Sequence, residues 1–451
     1  MKIALIGNMN NNNFSLMRYF RDLGADAHLL LYRDDGTGTL SHFRPESDTW
    51  EMEKWAPYIH RTKIPNSTTA VWDFPLSWLL AGRVMVRAWL GFQNTWLPPV
   101  TRRQIRQAYA GYDRLIASGI TPATLRRSNR RLDIFYPYAS GVEFLRSPVF
   151  TEHYIGRGRV SNWLGRRIAS LQAQGIQSSR HALTFGCGHS GEVLKSINVT
   201  SLPLAVPMVY NNESLPDTAP SQPLRIAAER IAGSQFSVLH QARLMWKKSC
   251  GRAKGPWPGE SKNNHWVIRM FAKLIIMRPN LKPLLLMVEY GPDVEPSKQL
   301  ACELGIEQYI HWLPKMPRRE LMWLLSRVSI GCGQFYERPR MVWGGTGWES
   351  LASGKPLLQG FNFAPGEFDR IYGYPPPPML PVREEQDILR HLLKMADNPG
   401  KRVEIGRSAK EWFNRYNGIE LATKWLDLLR IPRDGEDDHE VSGEPFGVNA
   451  L

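Results

Sequence analysis

RVSIGCGQFYERPRMVWGGTGWESLASGKPLLQG, residues 327–360, is the stretch whose reading decides the fold. It opens on Val328-Ser329-Ile330-Gly331-Cys332, an alternating run suited to a short strand. Gly344, Gly345 and Gly347 form a glycine cluster with Thr346 inside it. Trp348 to Ser353 reads as a helix, stopped by Gly354 and Pro356, and Pro356-Leu357-Leu358-Gln359 begins the next strand. Strand, glycine loop, helix and strand make one unit of an open α/β sheet. In such sheets ligands sit at the carboxyl ends of the strands. A helix start there offers free backbone N–H groups and partial positive charge to a phosphate. Glu349, in the first turns of that helix, has the chemistry to accept from both hydroxyls of a ribose. A helix–sheet turn with an exposed glutamate would carry the same letters.

Working outward, the α/β rhythm recurs at both ends of the chain. Lys2 to Gly7 reads as a buried strand rather than a signal peptide, followed by the polar loop Asn8 to Asn13. A helix from Phe14 and a strand over 27–32 complete a βαβ start without G-x-G-x-x-G. Strand ends are expected near Gly119, Tyr138 and His189, with Gly119-Ile120-Thr121-Pro122 leading into a helix. The proline-rich run 203–223 reads as an interdomain linker, with Pro207-Met208-Val209-Tyr210 as a strand leading out of it. The rhythm restarts at Phe236 and continues through strands at 284–289 and 310–313. Helices are expected at 385–397 and 403–428, and a disordered acidic tail over 435–451.

The sequence of 451 residues is long enough for two or three domains, with hydrophobic content of 43% and charged content of 22%. Four cysteines, Cys187, Cys250, Cys302 and Cys332, lie far apart, which speaks against a zinc site or a disulfide scaffold. No uninterrupted apolar run reaches about 18 residues, so no transmembrane helix is expected. Residues 71–110, rich in tryptophan and broken by Arg83 and Arg87, read as amphipathic helices that cover the sheet or lie in a membrane interface. The formal charge of +15 is concentrated in the first half, at Arg102, Arg103, Arg106, Arg126, Arg127, Arg130, Arg131, Arg157, Arg159, Arg166 and Arg167. Such a face attracts anionic lipid headgroups or phosphorylated acceptors. No nucleic-acid-binding signature accompanies it.

Trp343 to Leu358 resembles the nucleotide-sugar signature of the group 1, family 4-like retaining glycosyltransferases, which have the GT-B fold. The resemblance implies two Rossmann-like domains facing a central cleft, with a C-terminal helix crossing back to the first domain. The expected division is 1–205 for the acceptor-side domain, 206–415 for the nucleotide-sugar-binding domain and 416–434 for the returning helix. Glu349 matches the family's ribose-holding glutamate, and Gly344, Gly345, Thr346 and Gly347 its phosphate loop. Eight positions before Glu349, where the family carries a sugar-contacting glutamate, stands Met341; Glu337 is nearby but out of register. Arg243 and Lys262 match the family's diphosphate-holding cations and are the expected catalytic pair. Gly7 and Asn8 match the loop across the cleft, and Gly119, Thr121 and His189 fall on the acceptor side.

The implied activity is transfer of a hexose from a nucleoside-diphosphate sugar to a glycan or lipid-linked acceptor, with retention of configuration. No D-x-D motif is present to hold a diphosphate through a metal, so no metal and no cofactor beyond the donor is expected. The implied location is cytoplasmic, or peripheral at the inner face of a membrane. Three other readings remain open on the sequence: a sugar-nucleotide epimerase of the same fold, a non-catalytic nucleotide-sugar binder, and an anionic-surface binding module.

Overall fold

The computed structural model describes residues 1–32, 44–62, 64, 101–137, 142, 145, 159–184, 189–247, 261–336 and 344–431. Several sequence expectations lie outside these residues: the tryptophan-rich helices over 71–99, Glu337 and Met341, and the acidic tail.

Among the described residues, thirteen strands form two sheets, of seven and six strands. The first holds β1 (Lys2–Ile6), β2 (Asp26–Tyr32), β3 (Ile59–Thr62), β4 (Arg114–Ala117), β5 (Ile134–Phe135), β6 (His181–Thr184) and β7 (Ser201–Pro203), in the order β3-β2-β1-β4-β5-β6-β7. The second holds β8 (Phe236–His240), β9 (Pro283–Val288), β10 (Ile310–Leu313), β11 (Ile330–Cys332), β12 (Leu357–Gly360) and β13 (Leu380–Val382), in the order β10-β9-β8-β11-β12-β13. Every pairing is parallel. A parallel sheet is covered by helices on both faces, so its inner strands become apolar throughout. All five residues of β8 and all six of β9 are buried accordingly.

Each sheet runs outward from its first strand in one direction and returns to the other side with its fourth. This doubly wound order leaves a crevice between β1 and β4 in one sheet and between β8 and β11 in the other. These are the two-domain α/β architecture and the switch points expected of it.

The chain between the sheets differs from expectation. Residues 207–210 form no strand. They are held instead by side chains of other elements: the Tyr19 hydroxyl donates to the Val209 carbonyl at 3.0 Å, and the Met208 N–H donates to Asn417 Oδ1 at 3.3 Å. The single helix expected over 403–428 is two, Pro399–Tyr416 and Ile419–Arg430. The break falls at Asn417, fully buried beneath the linker it supports, and Gly418. The second of these helices returns to the first sheet. Trp425 Nε1 donates to the Ala205 carbonyl at 2.8 Å and packs edge-on against Tyr136, while Arg114 Nε donates to the Leu429 carbonyl at 3.0 Å. No helix among the described residues is long and apolar enough to cross a membrane.

Candidate functional site

β8 and β11 lie side by side in register, Cys332 opposite His240. Everything the sequence nominated in the second domain follows one of these two strand ends. Helix Gly345–Ala352 sits directly on β11 because residue 331 is glycine: a Cβ there would stand 2.3 Å from Ser350 Oγ. Its N-cap, Gly344, makes no side-chain capping bond, so the first backbone N–H groups keep their capacity for a ligand. Around that start two buried polar atoms have no partner among the described residues, Thr346 Oγ1 and Gln241 Oε1. Buried polar atoms are normally bonded, so these two keep capacity for a polar partner at the helix start.

Gln241 is the first residue after β8, and its Nε2 lies 3.4 Å from the Thr346 carbonyl and 3.5 Å from Glu349 Oε2. Arg243 follows two residues later, exposed, with its guanidinium 5.9 Å from the Tyr290 ring centre. The loop that carries it is shaped by Gly291, whose φ of +128° and close approach admit no side chain: a Cβ there would stand 2.2 Å from the Leu244 carbonyl oxygen. Asp293 Oδ2 accepts from the Trp246 and Lys247 N–H groups, the latter at 2.9 Å, and holds the end of the same loop.

Lys262 is stitched between both strand ends. Its N–H donates to the Met245 carbonyl at 2.7 Å, and its own carbonyl accepts from Phe335 N–H at 3.2 Å. Burial, with a smaller contribution from Arg243, pushes its ammonium down to about 8. Beneath it His240 is fully buried and pushed down to about 4 by burial, hence neutral at neutral pH. Asn264 Oδ1 accepts from Met245 N–H, which leaves its Nδ2 to donate to His240 Nε2 at 3.2 Å. The imidazole proton therefore sits on Nδ1. Arg243 and Lys262 thus follow β8 and helix Gly345–Ala352 follows β11, the two strands that meet at this switch point, and Gln241 reaches from the first to the second.

Glu349 is 6% exposed and engaged. Its Oε1 accepts from Arg318 Nε at 3.0 Å. Arg318 Nη1 donates to Asp48 Oδ1 at 2.8 Å and to the Asn10 carbonyl at 3.0 Å, both in the first domain. Asp48 pairs in turn with Arg18, and Arg18 Nη1 with Glu213 Oε2 at 3.1 Å. Sequence reasoning missed Arg318 and this whole chain. One signal was available: Arg318 and Arg319 open a helix, where the dipole disfavours cations unless carboxylates are supplied.

In the first domain, Gly7 ends β1 with φ +80° and Gly119 follows β4 with φ +64°, so both stand at the crevice of that sheet. The Asn8 side chain serves its own loop, with Oδ1 accepting from Phe14 N–H at 3.0 Å. Thr121 opens helix Thr121–Arg127 and is 2% exposed, and Gln172 Nε2 braces the preceding turn by donating to the Gly119 carbonyl at 2.8 Å. His189 opens helix His189–Ser196, and its side chain lies outside the described residues. Among the described residues no three His, Cys, Asp or Glu side chains converge as a metal site.

No protein-family model matches the chain, and no curated protein sequence matches it. Solved structures do. HepE from Anabaena in complex with UDP superposes with a TM-score of 0.54 at 14% identity, over 95% of this chain and 99% of that one. A glycosyltransferase from Rickettsia africae gives 0.51 at 12% identity, over 96% and 99%. TarM from S. aureus, in complex with UDP, α-GlcNAc-glycerol and fondaparinux, gives 0.50 at 10% identity, over 95% and 100%. At these identities the likeness is one of fold: this chain has the two-domain GT-B architecture of those structures along nearly its whole length.

Proposed function

We propose that the protein is a glycosyltransferase that moves a hexose from a nucleoside-diphosphate sugar to a hydroxyl of a glycan or lipid-linked acceptor. One observation supports the reading: the segments that carry Arg243 and Lys262 and the start of helix Gly345–Ala352 follow the adjacent strands β8 and β11 at the switch point of the second sheet. Two cations and a helix start balance the charge that develops on a departing nucleoside diphosphate. Glu349 beside them supplies a carboxylate for ribose hydroxyls. Structures that share the fold agree in kind, since HepE was captured with UDP-glucose and TarM with UDP.

In this reading Lys262 and Arg243 hold the diphosphate, and no metal is needed for that task. The acceptor enters on the face from which the nucleotide leaves, so configuration is retained and no protein nucleophile is assigned. Arg102, Arg103, Arg106, Arg126, Arg166 and Arg167 are exposed on the acceptor-side domain, a basic face suited to an anionic or lipid-linked acceptor. Closure of the cleft excludes water and limits hydrolysis of the donor.

A thermal-shift panel of UDP, GDP, ADP and their sugars tests the reading. A ligand at about 100 times its dissociation constant adds about 2.7 kcal/mol. One base should stabilise the protein, and its sugar should then be consumed in the presence of an acceptor. A panel with no stabilising nucleotide would remove the assignment.

A further inference from the structure

We infer that Arg318 is a positioning residue through which the first domain sets the donor carboxylate of the second. The inference rests on the glycosyltransferase reading for the role of Glu349, and on geometry alone for the inter-domain link.

Five charged side chains alternate in sign across the molecule: Glu349, Arg318, Asp48, Arg18 and Glu213. Glu349 and Arg318 belong to the second domain, Asp48 and Arg18 to the first, and Glu213 to the connection between the sheets. Arg18 is fully buried, with its guanidinium 4.2 Å from the Phe14 ring centre and 4.3 Å from that of Tyr210. Glu213 is fixed by the Thr49 hydroxyl at 2.9 Å and by the Trp50 N–H. Asp48 is thereby presented to Arg318 from a rigid, desolvated frame.

The guanidinium divides its work. Nε takes Glu349 Oε1, while Nη1 takes Asp48 Oδ1 and the Asn10 carbonyl. Burial opposes the charge on Arg318, but the two carboxylates more than offset it and hold its pKa up. Oε1 is taken by Arg318, and Oε2 holds the longer 3.5 Å hydrogen bond from Gln241 Nε2, the weaker of the two for a ligand to displace. A rotation of the first domain away from the second would remove Asp48 and the Asn10 carbonyl from Nη1. Arg318 would keep Glu349 and the long 3.4 Å contact to the Met208 carbonyl, but lose the carboxylate partner that fixes both. A closed cleft therefore carries an oriented carboxylate and an open cleft a loose one. By reciprocity, a ligand that grips the oriented carboxylate favours closure.

The planar fork matters to this arrangement, since its fixed edges orient two carboxylates relative to each other, whereas an ammonium is a rotatable point charge. The test uses the full chain, with UDP, GDP and ADP each titrated by calorimetry. Solution scattering follows the radius of gyration, and thermal melts follow folding. Asp48→Asn, though remote from the donor, should raise the dissociation constant of whichever nucleotide binds about tenfold. It should also enlarge the radius of gyration of the free protein. Arg318→Lys should behave like Asp48→Asn, and Asp48→Asn combined with Glu349→Gln should bind no more weakly than Glu349→Gln alone.

Nucleotide affinity within twofold of wild type in Asp48→Asn, or effects that add fully in the double variant, would overturn the positioning role. A lower melting temperature with unchanged affinity would mean a structural brace only, which overturns it equally. If Asp48→Asn does not fold, Arg318→Lys gives the same readouts. If no nucleotide binds the wild type, the glycosyltransferase reading fails on its own, and an unchanged radius in the variants then removes the inter-domain link as well.

Discussion

Arg243 helps hold the ammonium of Lys262 below its ordinary range, because each cation disfavours charge on the other. Burial is the larger cause and brings Lys262 down to about 8. The sign for folding follows. The unfolded lysine binds its proton up to about pH 10.4. Between about 8 and that value the unfolded state holds more protons, so stability rises with pH across this window. Below it both states are charged and the folded protein carries the full cost of burial.

Ligand binding has the opposite slope. A diphosphate in the crevice favours the ammonium, so binding at pH 8 should take up about half a proton, and affinity should fall as pH rises through 8. Calorimetry in two buffers of different ionisation enthalpy measures this uptake. Lys262→Arg should abolish it. Arg243→Ala should move the inflection upward, since one of the two causes is gone. An uptake of zero in the wild type would place the diphosphate elsewhere.

Arg243 itself is exposed, and its contact with the Tyr290 ring is long. Arg243→Ala should therefore cost little stability, within about 0.5 kcal/mol. Its effect should fall on turnover more than on donor affinity, because charge on the leaving group is greatest in the transition state. Single-turnover kinetics separates the two. A loss confined to binding would count against leaving-group stabilisation.

Glu349→Ala removes charge-assisted hydrogen bonds worth about 1.5–3 kcal/mol each. Nucleotide affinity should drop at least about tenfold. The structure adds a consequence that the sequence did not show: Arg318 loses one of two carboxylate partners, so the melting temperature should fall too. Glu349→Gln keeps an acceptor for Arg318 Nε and should recover part of the stability and little of the affinity. Unchanged binding in both variants would remove the ribose role.

The legible parts of this chain were those whose physics is local. Buried parallel strands are apolar runs, so β8, β9, β11 and β12 could be read directly, and the glycine loop and Glu349 from spacing. β3 and β13 could not. They are edge strands, and edges tolerate the polar His60 and Arg61 in one and Pro381 in the other. The linker has no strand because side chains, those of Tyr19 and Asn417, take backbone groups that a neighbouring strand would bond. Arg318 and Asp48 are 270 residues apart, and no periodicity or spacing connects such a pair. Only the oddity of two arginines at a helix start hinted that carboxylates were waiting.

Gly331 offers a way to disturb the site without touching any polar group in it. An added Cβ would lie 2.3 Å from Ser350 Oγ, 3.0 Å from Ser350 Cβ and 3.1 Å from Leu325 Cδ2. Rotating the hydroxyl relieves the first contact but not the other two, so helix Gly345–Ala352 must lift from β11. Gly331→Ala should cost about 1–3 kcal/mol, the usual range for overpacking. Glu349 adjoins Ser350, so the same displacement should weaken nucleotide binding. Ser350→Gly in the same chain removes both Ser350 contacts, leaves only the Leu325 methyl to shift slightly, and adds a glycine to a helix, at a cost of about 1 kcal/mol. The double variant should therefore regain nucleotide affinity while staying less stable than wild type. Affinity that follows stability in both variants, measured by titration beside thermal melts, would show that the helix seat matters to the fold alone.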